Sequence, residues 1–545
     1  MAKHYIGIDL GTTESTVSAI SIESRKDNPI EKLNPLKIYQ FNKHSFFTKE
    51  LMGLQSSIFI DRNKGEVYTG EYAKDLYSKG ERPLQTIRSV KTRIGTESLI
   101  QIPHPDNKSD ILSCDMTELT ALLLKTLKKS IEEKFFDKDI IDVTITIPAA
   151  FNSDERNATL NASKLAGFQD VCILDEPTAV LLSYLNSDNL GTTLDFSKPK
   201  KILVYDIGGG TLDISVADIE DNEGDFDIKI LGRSPRMDFG GDDIDKYIAS
   251  YFLYEFEKIN PSIQDRTKEE QAKIISRIVS HAEMAKIDFN TKILPYLEKA
   301  RKRLKVKQSV NFEIVDGLSI TDLILTDELL KNIFFDLIGK EGKLVTPIKS
   351  VLTYAKLDKK DIDLVILTGG SGKFYLVKET LDDFFDKSIE ILEYTESNAV
   401  SKGASIHSYN QTQERLKKIN LNDIMSDDVF IKKENSFDLL IPSDTEPNSK
   451  GRYTYKFEKI SNSLDVFLFT GSRNEEEHKY KEVTGVFKKL DNFFTEGDTI
   501  EIEWELDENK ILHIYYKNEL LINTKEVNSL SSDLVEYYEL NPFEI

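Results

Sequence analysis

The sequence predicts an α/β protein with mixed sheets over residues 1–410, followed by a smaller all-β domain over 437–545. Three observations predict this. Strand-like and helix-like stretches alternate along the first part. Two strand-like runs, each ending in aspartate, lead into glycine- and threonine-rich turns: Ile6-Gly7-Ile8-Asp9-Leu10-Gly11-Thr12-Thr13 and Leu203-Val204-Tyr205-Asp206-Ile207-Gly208-Gly209-Gly210-Thr211. Near the end, Ile500, Ile502, Trp504 and Leu506 alternate with Glu501, Glu503 and Glu505. That period of two places one face in a core and the other in water.

The two turns are the chemically informative elements. Each is followed by a second β-rich run, Ser15 to Ile20 and Leu212 to Val216, so each reads as a hairpin. Glycine lets a backbone approach an anion closely, and successive turn N–H groups form a concave anion site. Threonine hydroxyls add donors. Asp9 and Asp206 at the strand ends suit a hydrated Mg²⁺, which prefers oxygen ligands and keeps several waters. Two such hairpins facing one another would hold a nucleoside triphosphate and its metal from both sides.

Between and beyond the hairpins the other elements follow in order. Ile140 to Ile147 reads as a buried strand stopped by Pro148. Asn152 to Ala166 reads as a helix capped by Asn152 or Ser153, with acids in its first turn. The run Glu298 to Lys305 reads as a strongly basic helix with Glu298, Arg301 and Lys302 on one face. A cationic stem there suits cation–π contact with a purine ring. Asp363 to Leu367 reads as a strand entering Thr368-Gly369-Gly370-Ser371-Gly372, with a helix from Phe374 to Phe385. Such a strand-to-helix turn can receive an anion or lie against a nucleoside. The composition at 411–436 turns polar and reads as a linker. Asp507 to Lys510 reads as a hairpin turn returning Ile511 to Tyr516, and Ser531 to Tyr538 as at most about two helical turns.

The bulk numbers exclude several classes. The chain has 545 residues, enough for two or three domains. Its formal net charge of −22 argues against nonspecific binding to nucleic acid or anionic membranes. Two cysteines, Cys114 and Cys172, are too few for a disulfide framework and fit a reducing compartment. Neither a secretory leader nor a membrane-length apolar run is visible, so a cytoplasmic location is expected.

These motifs together resemble the DnaK-type 70-kDa heat-shock chaperone family, within the actin-like ATPase superfamily. The resemblance spans about 410 residues. It is carried by Gly7 to Thr13, Ile147 to Asn152, Asp175-Glu176-Pro177-Thr178-Ala179, Tyr205 to Asp213, Phe239 to Asp243 and Thr368 to Ser371. It implies a two-lobed actin-like (ribonuclease H-like) ATPase domain and a β-sandwich substrate domain. Val466 to Arg473 and Glu501 to Ile514 carry the weaker second match. By the same resemblance Gly11, Thr12, Thr13 and Gly208, Gly209, Gly210 would hold phosphate, and Asp9 and Asp206 water-bound Mg²⁺. Lys91 would sit at the γ-phosphate, with Glu176 and Thr211 completing the network. Gly241, Glu298, Arg301 and Lys302 would hold the adenosine side, closed over by Gly369, Gly370, Ser371 and Lys373. Pro148 and Arg156 would relay nucleotide state between domains. The implied ligands are ATP, ADP and Mg²⁺. The implied partners are apolar or unfolded peptides, or one dedicated client, with a J-domain cochaperone and an exchange factor.

The chain departs from the family pattern at definite places. Glu14 and Ala150 stand where tyrosines are usual, Thr92 where arginine is, and Lys305 where the adenosine clasp has serine. Lys373 replaces an arginine, exchanging a planar group for a point charge. Cys172 and Asp175 replace the arginine and asparagine before Glu-Pro-Thr. The leucine-rich linker is not recognisable; its nearest counterpart is Asp423 to Phe430. The stretch between Val429 and Leu439, which builds part of the family's peptide groove, looks shortened. A helical lid is not expected. A filament protein or sugar kinase of the same superfamily is disfavoured by the β-domain and by the Asp-Glu-Pro-Thr motif.

Overall fold

The computed structural model describes residues 3–23, 29, 31–40, 49–63, 66–96, 98–103, 111–135, 140–187, 194–223, 225–260, 262–315, 317–394, 398–411, 419–473 and 480–521. Two six-stranded mixed sheets organise its first part. In the first, Lys3–Asp9 and Glu14–Ile22 form the hairpin expected from sequence, with Asp9 opposite Thr16. Ile140–Ile147 runs parallel to Lys3–Asp9, and Val171–Asp175 runs parallel to Ile140–Ile147. The second sheet repeats this pattern. Lys200–Ile207 pairs antiparallel with Leu212–Asn222. Leu364–Thr368 and then Glu390–Glu393 follow on its other side in parallel. The inner strands are buried on both faces, which is why they read as apolar runs rather than alternating ones.

Helices cover both sheets. Ser153–Leu165 starts at Asn152, whose Oδ1 accepts from the Glu155 N–H at 3.1 Å while Glu155 accepts from the Asn152 N–H at 2.9 Å. This reciprocal box satisfies two otherwise unpaired donors. Glu176–Leu185 and Ala399–Asn410 lie in the core that joins the sheets, among Tyr5, Ile20, Ile202 and Val204. Gly403 permits their contact: a β-carbon there would fall 1.8 Å from the Ala179 carbonyl oxygen.

The basic run at 298–305 makes only one helical turn, Ala300–Arg303. The long helix Lys268–Ile293 ends before Pro295, where a ring replaces the N–H that a continuing helix needs.

The connector expected at 411–436 contains two strands. Ile419–Asn422 adds in parallel to Asp225–Arg233 as the edge of the second sheet. Asp428–Lys432 pairs with Phe437–Ile441 and Ser461–Gly471. Polar neighbours hide both in composition, although Ile419 and Leu421 alternate and Val429-Phe430-Ile431 is an apolar run. The β-rich part therefore includes residues before 437. It consists of two four-stranded antiparallel sheets over one core that includes Val429, Ile431, Leu464, Val466, Ile502 and Ile514. The short helix expected at Ser531 to Tyr538 lies outside the described residues. No helix among the described residues is long and apolar enough to cross a membrane.

Gly403→Ala should destabilise the protein by about 3 kcal/mol, since two backbones must separate. Gly370→Ala is the control, because a β-carbon there meets nothing within 4 Å. Equal thermal midpoints for the two variants would refute the packing account.

Candidate functional site

The two glycine turns face each other across a cleft of about 580 Å³, within the range typical of ligand sites. Their contact is close: a β-carbon on Gly209 would lie 1.8 Å from Thr13 Oγ1, and one on Gly210 would lie 2.6 Å from Thr12 Cγ2. The second turn closes with the Gly208 N–H donating to the Thr211 carbonyl at 3.0 Å. Gly369 takes φ +83°, and a β-carbon there would come 2.5 Å from Asp206 Oδ1. The 370–373 turn is tied to the second hairpin by Ser371 Oγ donating to the Gly208 carbonyl at 2.8 Å.

Lys91 lies in the short turn Val90–Arg93, and Glu176 opens the helix Glu176–Leu185. Their side chains form a buried ion pair. Asp206 and Asp213 are buried beside it, and Asp9 is half-buried. Burial, then the Glu176 charge, pushes the Asp9 and Asp213 carboxyls up to about 7. The same causes raise Asp206 well above the usual carboxylate range, with Asp213 and Asp9 adding to them. Four carboxyl groups thus share one ammonium. A cation belongs in such surroundings. No three acidic, imidazole or thiol side chains among the described residues converge as a metal cage.

The structure brings most of the expected residues to this cleft: Asp9, Gly11, Thr12, Thr13, Lys91, Glu176, Asp206, Gly208, Gly209, Thr211, Gly241, Gly369, Gly370, Ser371 and Lys373. Gly210 stands just behind, against Thr12 and Thr92. Glu298, Arg301 and Lys302 are not brought there; all three are exposed and outside the lining. Glu283, Lys286, Ile287 and Asn290 of the helix Lys268–Ile293 line the cleft in their place. Glu283 and Lys286 have the same i, i+3 spacing as Glu298 and Arg301. The capping box at Thr267 and Glu270 was the signal that could have found them, since it starts a helix long enough to pass the cleft. Lys74 also lines the cleft and bridges it by pairing with Glu283 at 2.9 Å.

Pro148 and Arg156 lie behind the cleft. The Ala149 N–H donates to Asp213 Oδ1 at 3.1 Å. Arg156 donates to the Phe151 carbonyl at 2.8 Å, the Ala149 carbonyl at 3.2 Å and Asp175 at 2.9 Å. From the β-rich part, the turn Asp507 to Lys510 reaches this point. Asn509 Oδ1 accepts from the Ile173 N–H at 3.1 Å, and Lys510 pairs with Asp175 at 2.6 Å and Asp423 at 2.5 Å. Arg233 pairs with both carboxylates as well. Burial opposes the Asp423 charge, but Arg233 and Lys510 hold its carboxyl down at about 2. Burial and the neighbouring Arg233 lower the Lys510 ammonium well below its ordinary value. Sequence singled out Asp175 as a departure but gave Arg233, Asp423 and Lys510 no partner; their separation in the chain hides the cluster.

The family model described as Hsp70 protein matches residues 63–537. The chain is 30% identical over 482 residues to the chaperone protein DnaK of Thermosipho melanesiensis, covering 86% of this chain and 71% of that protein. The DnaK of Thermosipho africanus gives 30% over 482 residues, covering 86% and 70%. That of Thermotoga neapolitana gives 30% over 406 residues, covering 74% and 58%. The chain belongs to the Hsp70 family.

The buried carboxyls generate a pH dependence. An ordinary aspartate titrates near 3.9, so between about pH 4 and 7 the folded site holds protons that the unfolded chain has released. This contribution makes the nucleotide-free protein less stable as pH rises through that window. The thermal midpoint should be higher at pH 6 than at pH 8, with a smaller difference in Asp213→Asn. An undiminished difference in that variant would contradict the assignment.

Proposed function

We propose that this chain is an ATP-dependent molecular chaperone that hydrolyses ATP in the cleft and thereby controls binding by its β-rich part. In this reading residues 1–410 are an actin-like (ribonuclease H-like) two-lobed ATPase domain, and the two antiparallel sheets are a β-sandwich substrate domain. The observation that carries it is the buried Lys91–Glu176 pair set between two facing glycine hairpins, each with its aspartate. DnaK-type relatives named as chaperones support the same conclusion.

Each residue then has a task. Turn N–H groups of Gly11–Thr13 and Gly208–Gly210, with the threonine hydroxyls, would bind phosphate oxygens. Lys91 would offset the charge developing on the transferred phosphoryl group, and with Glu176 and Thr211 would orient the attacking water. Phosphoryl transfer depends mainly on such positioning and electrostatics. Mg²⁺, when bound, supplies charge neutralisation of the phosphates, with Asp9 and Asp206 placed to hold its waters. The contacts Asp213–Ala149, Ala149–Arg156 and Arg156–Asp175 form a continuous route from cleft to β-rich part. The partners this reading implies are peptide segments or a client protein, a J-domain cochaperone and an exchange factor.

One observation favours a second reading, a nucleotide-switched module for one dedicated partner. The Asp428–Lys432 and Phe437–Ile441 strands are joined by a tight turn, where the Lys433 N–H donates to the Ser436 carbonyl at 2.8 Å. Beside it, Phe430 stacks on Tyr480 at 4.4 Å, and Phe437 packs edge-on against Phe469 and Tyr480. These rings cover one another. A peptide array settles the choice: apolar peptides should bind under the first reading and not under the second.

Lys91→Ala should lower ATP turnover by about 10²–10³-fold, the scale for losing one charge-stabilising donor, while leaving ADP affinity within a few-fold. Unchanged turnover would refute the hydrolysis assignment. Lys510→Glu places a carboxylate against Asp175 and Asp423. Breaking a buried pair costs roughly 3–5 kcal/mol, so trypsin should release the β-rich part faster. Wild-type cleavage kinetics would refute its role in docking.

A further inference from the structure

Lys91 is buried, but the turn that carries it, Val90–Arg93, is a single short 3₁₀ segment. Thr92 Oγ1 donates to the Ser89 carbonyl at 2.9 Å, and the Ile94 N–H to the Lys91 carbonyl at 3.3 Å. Hydrogen bonds of this kind have poorer geometry than those of an α-helix. The direction of the Lys91 side chain therefore depends on what grips the turn from outside.

Two grips come from the second sheet, one on each side of Lys91. Ser89 Oγ donates to Asp242 Oδ2 at 2.9 Å. Arg236 Nη2 donates to the Thr92 carbonyl at 3.1 Å. Arg236 follows the strand Asp225–Arg233, in a segment bound to the second glycine hairpin. There the Ile214 N–H donates to Ser234 Oγ at 3.1 Å, and the Leu212 N–H to the Met237 carbonyl at 3.1 Å. The other two guanidinium nitrogens are also used. Nε donates to Asp238 Oδ1 at 2.7 Å, and Nη1 pairs with Glu155, the acid of the capping box at Asn152. The Arg236 side chain is 15% exposed, so water competes weakly for these contacts.

We infer that Arg236 is a positioning residue for ATP hydrolysis: it locks the Lys91 turn to the second hairpin and to the helix cap at Asn152. Three contacts in fixed directions suit a planar, charged fork. An ammonium is a point charge, and a neutral amide has no charge to set against Glu155. Arg236 lies outside the cleft lining, so it acts through Lys91 and not on the nucleotide. Misplacing a reacting group by about 1 Å costs on the order of 10²-fold in rate.

This inference rests on Lys91 acting in ATP hydrolysis, and one experiment separates the two. Turnover, KM for ATP and ADP affinity are measured on the full chain with Mg²⁺, for wild type, Lys91→Ala, Arg236→Gln and Arg236→Lys. Arg236→Gln should lower kcat by about 10²-fold, with KM and ADP affinity within a few-fold of wild type. Arg236→Lys keeps the charge beside Glu155 but not the fork, and its kcat should fall between the two. A residue that merely supports the fold would lower nucleotide affinity together with kcat. That result, or wild-type kcat in Arg236→Gln, overturns the inference and leaves the hydrolysis reading standing. If Arg236→Gln does not fold, the same readings on Arg236→Lys decide. No turnover in the wild type, or equal turnover in Lys91→Ala, overturns both.

Discussion

The ammonium of Lys91 meets the Glu176 carboxylate in a site that also gathers the buried Asp206 and Asp213 and the half-buried Asp9. Four carboxyl groups against one cation are a stable arrangement only if protons or a metal make up the difference. A fold that surrounds them with apolar strands keeps that imbalance in place, because burial prevents water from screening it. The rest of the first part serves this site. The paired hairpins supply the aspartates, the helix Glu176–Leu185 presents Glu176 at its first position, and the Val90–Arg93 turn brings in Lys91.

The two sheets share one plan, a hairpin whose first strand is extended by two parallel strands. Because each hairpin ends at the same edge of its sheet, joining the sheets through a common core brings the turns together. The small residues at that junction matter most. Gly403 packs one helix against the Ala179 backbone of another, and Gly209 packs its turn against the Thr13 side chain, so close contact leaves little room for adjustment.

The β-rich part is held against this framework by charge as well as packing. Asp175 stands where an uncharged amide is usual in the family, and a buried carboxylate there needs cations. Arg156, Arg233 and Lys510 provide them, with Asp423 completing the cluster. A buried ionic cluster gives directional specificity rather than large net stability. The cluster also connects to Asp213 by two hydrogen bonds through Ala149.

Local patterns made much of this legible. The hairpins, the strand Ile140–Ile147, the cap at Asn152, the 364–384 strand and helix and the alternation at 499–506 are set by neighbours in the chain, as are the cleft residues of the two hairpins, which lie in contiguous motifs. Glu298, Arg301 and Lys302, expected at the cleft, lie outside its lining, while the same spacing at Glu283 and Lys286 reaches it; composition favours the more basic run. The strands Ile419–Asn422 and Asp428–Lys432 were hidden by polar neighbours; their partners are distant strands. By itself, then, the sequence determined two glycine-rich hairpins with their aspartates, an α/β body and a β-rich end. Only the tertiary structure decided which helix face borders the cleft and which charges meet at Lys510, since both depend on long-range packing that brings together residues far apart in the chain.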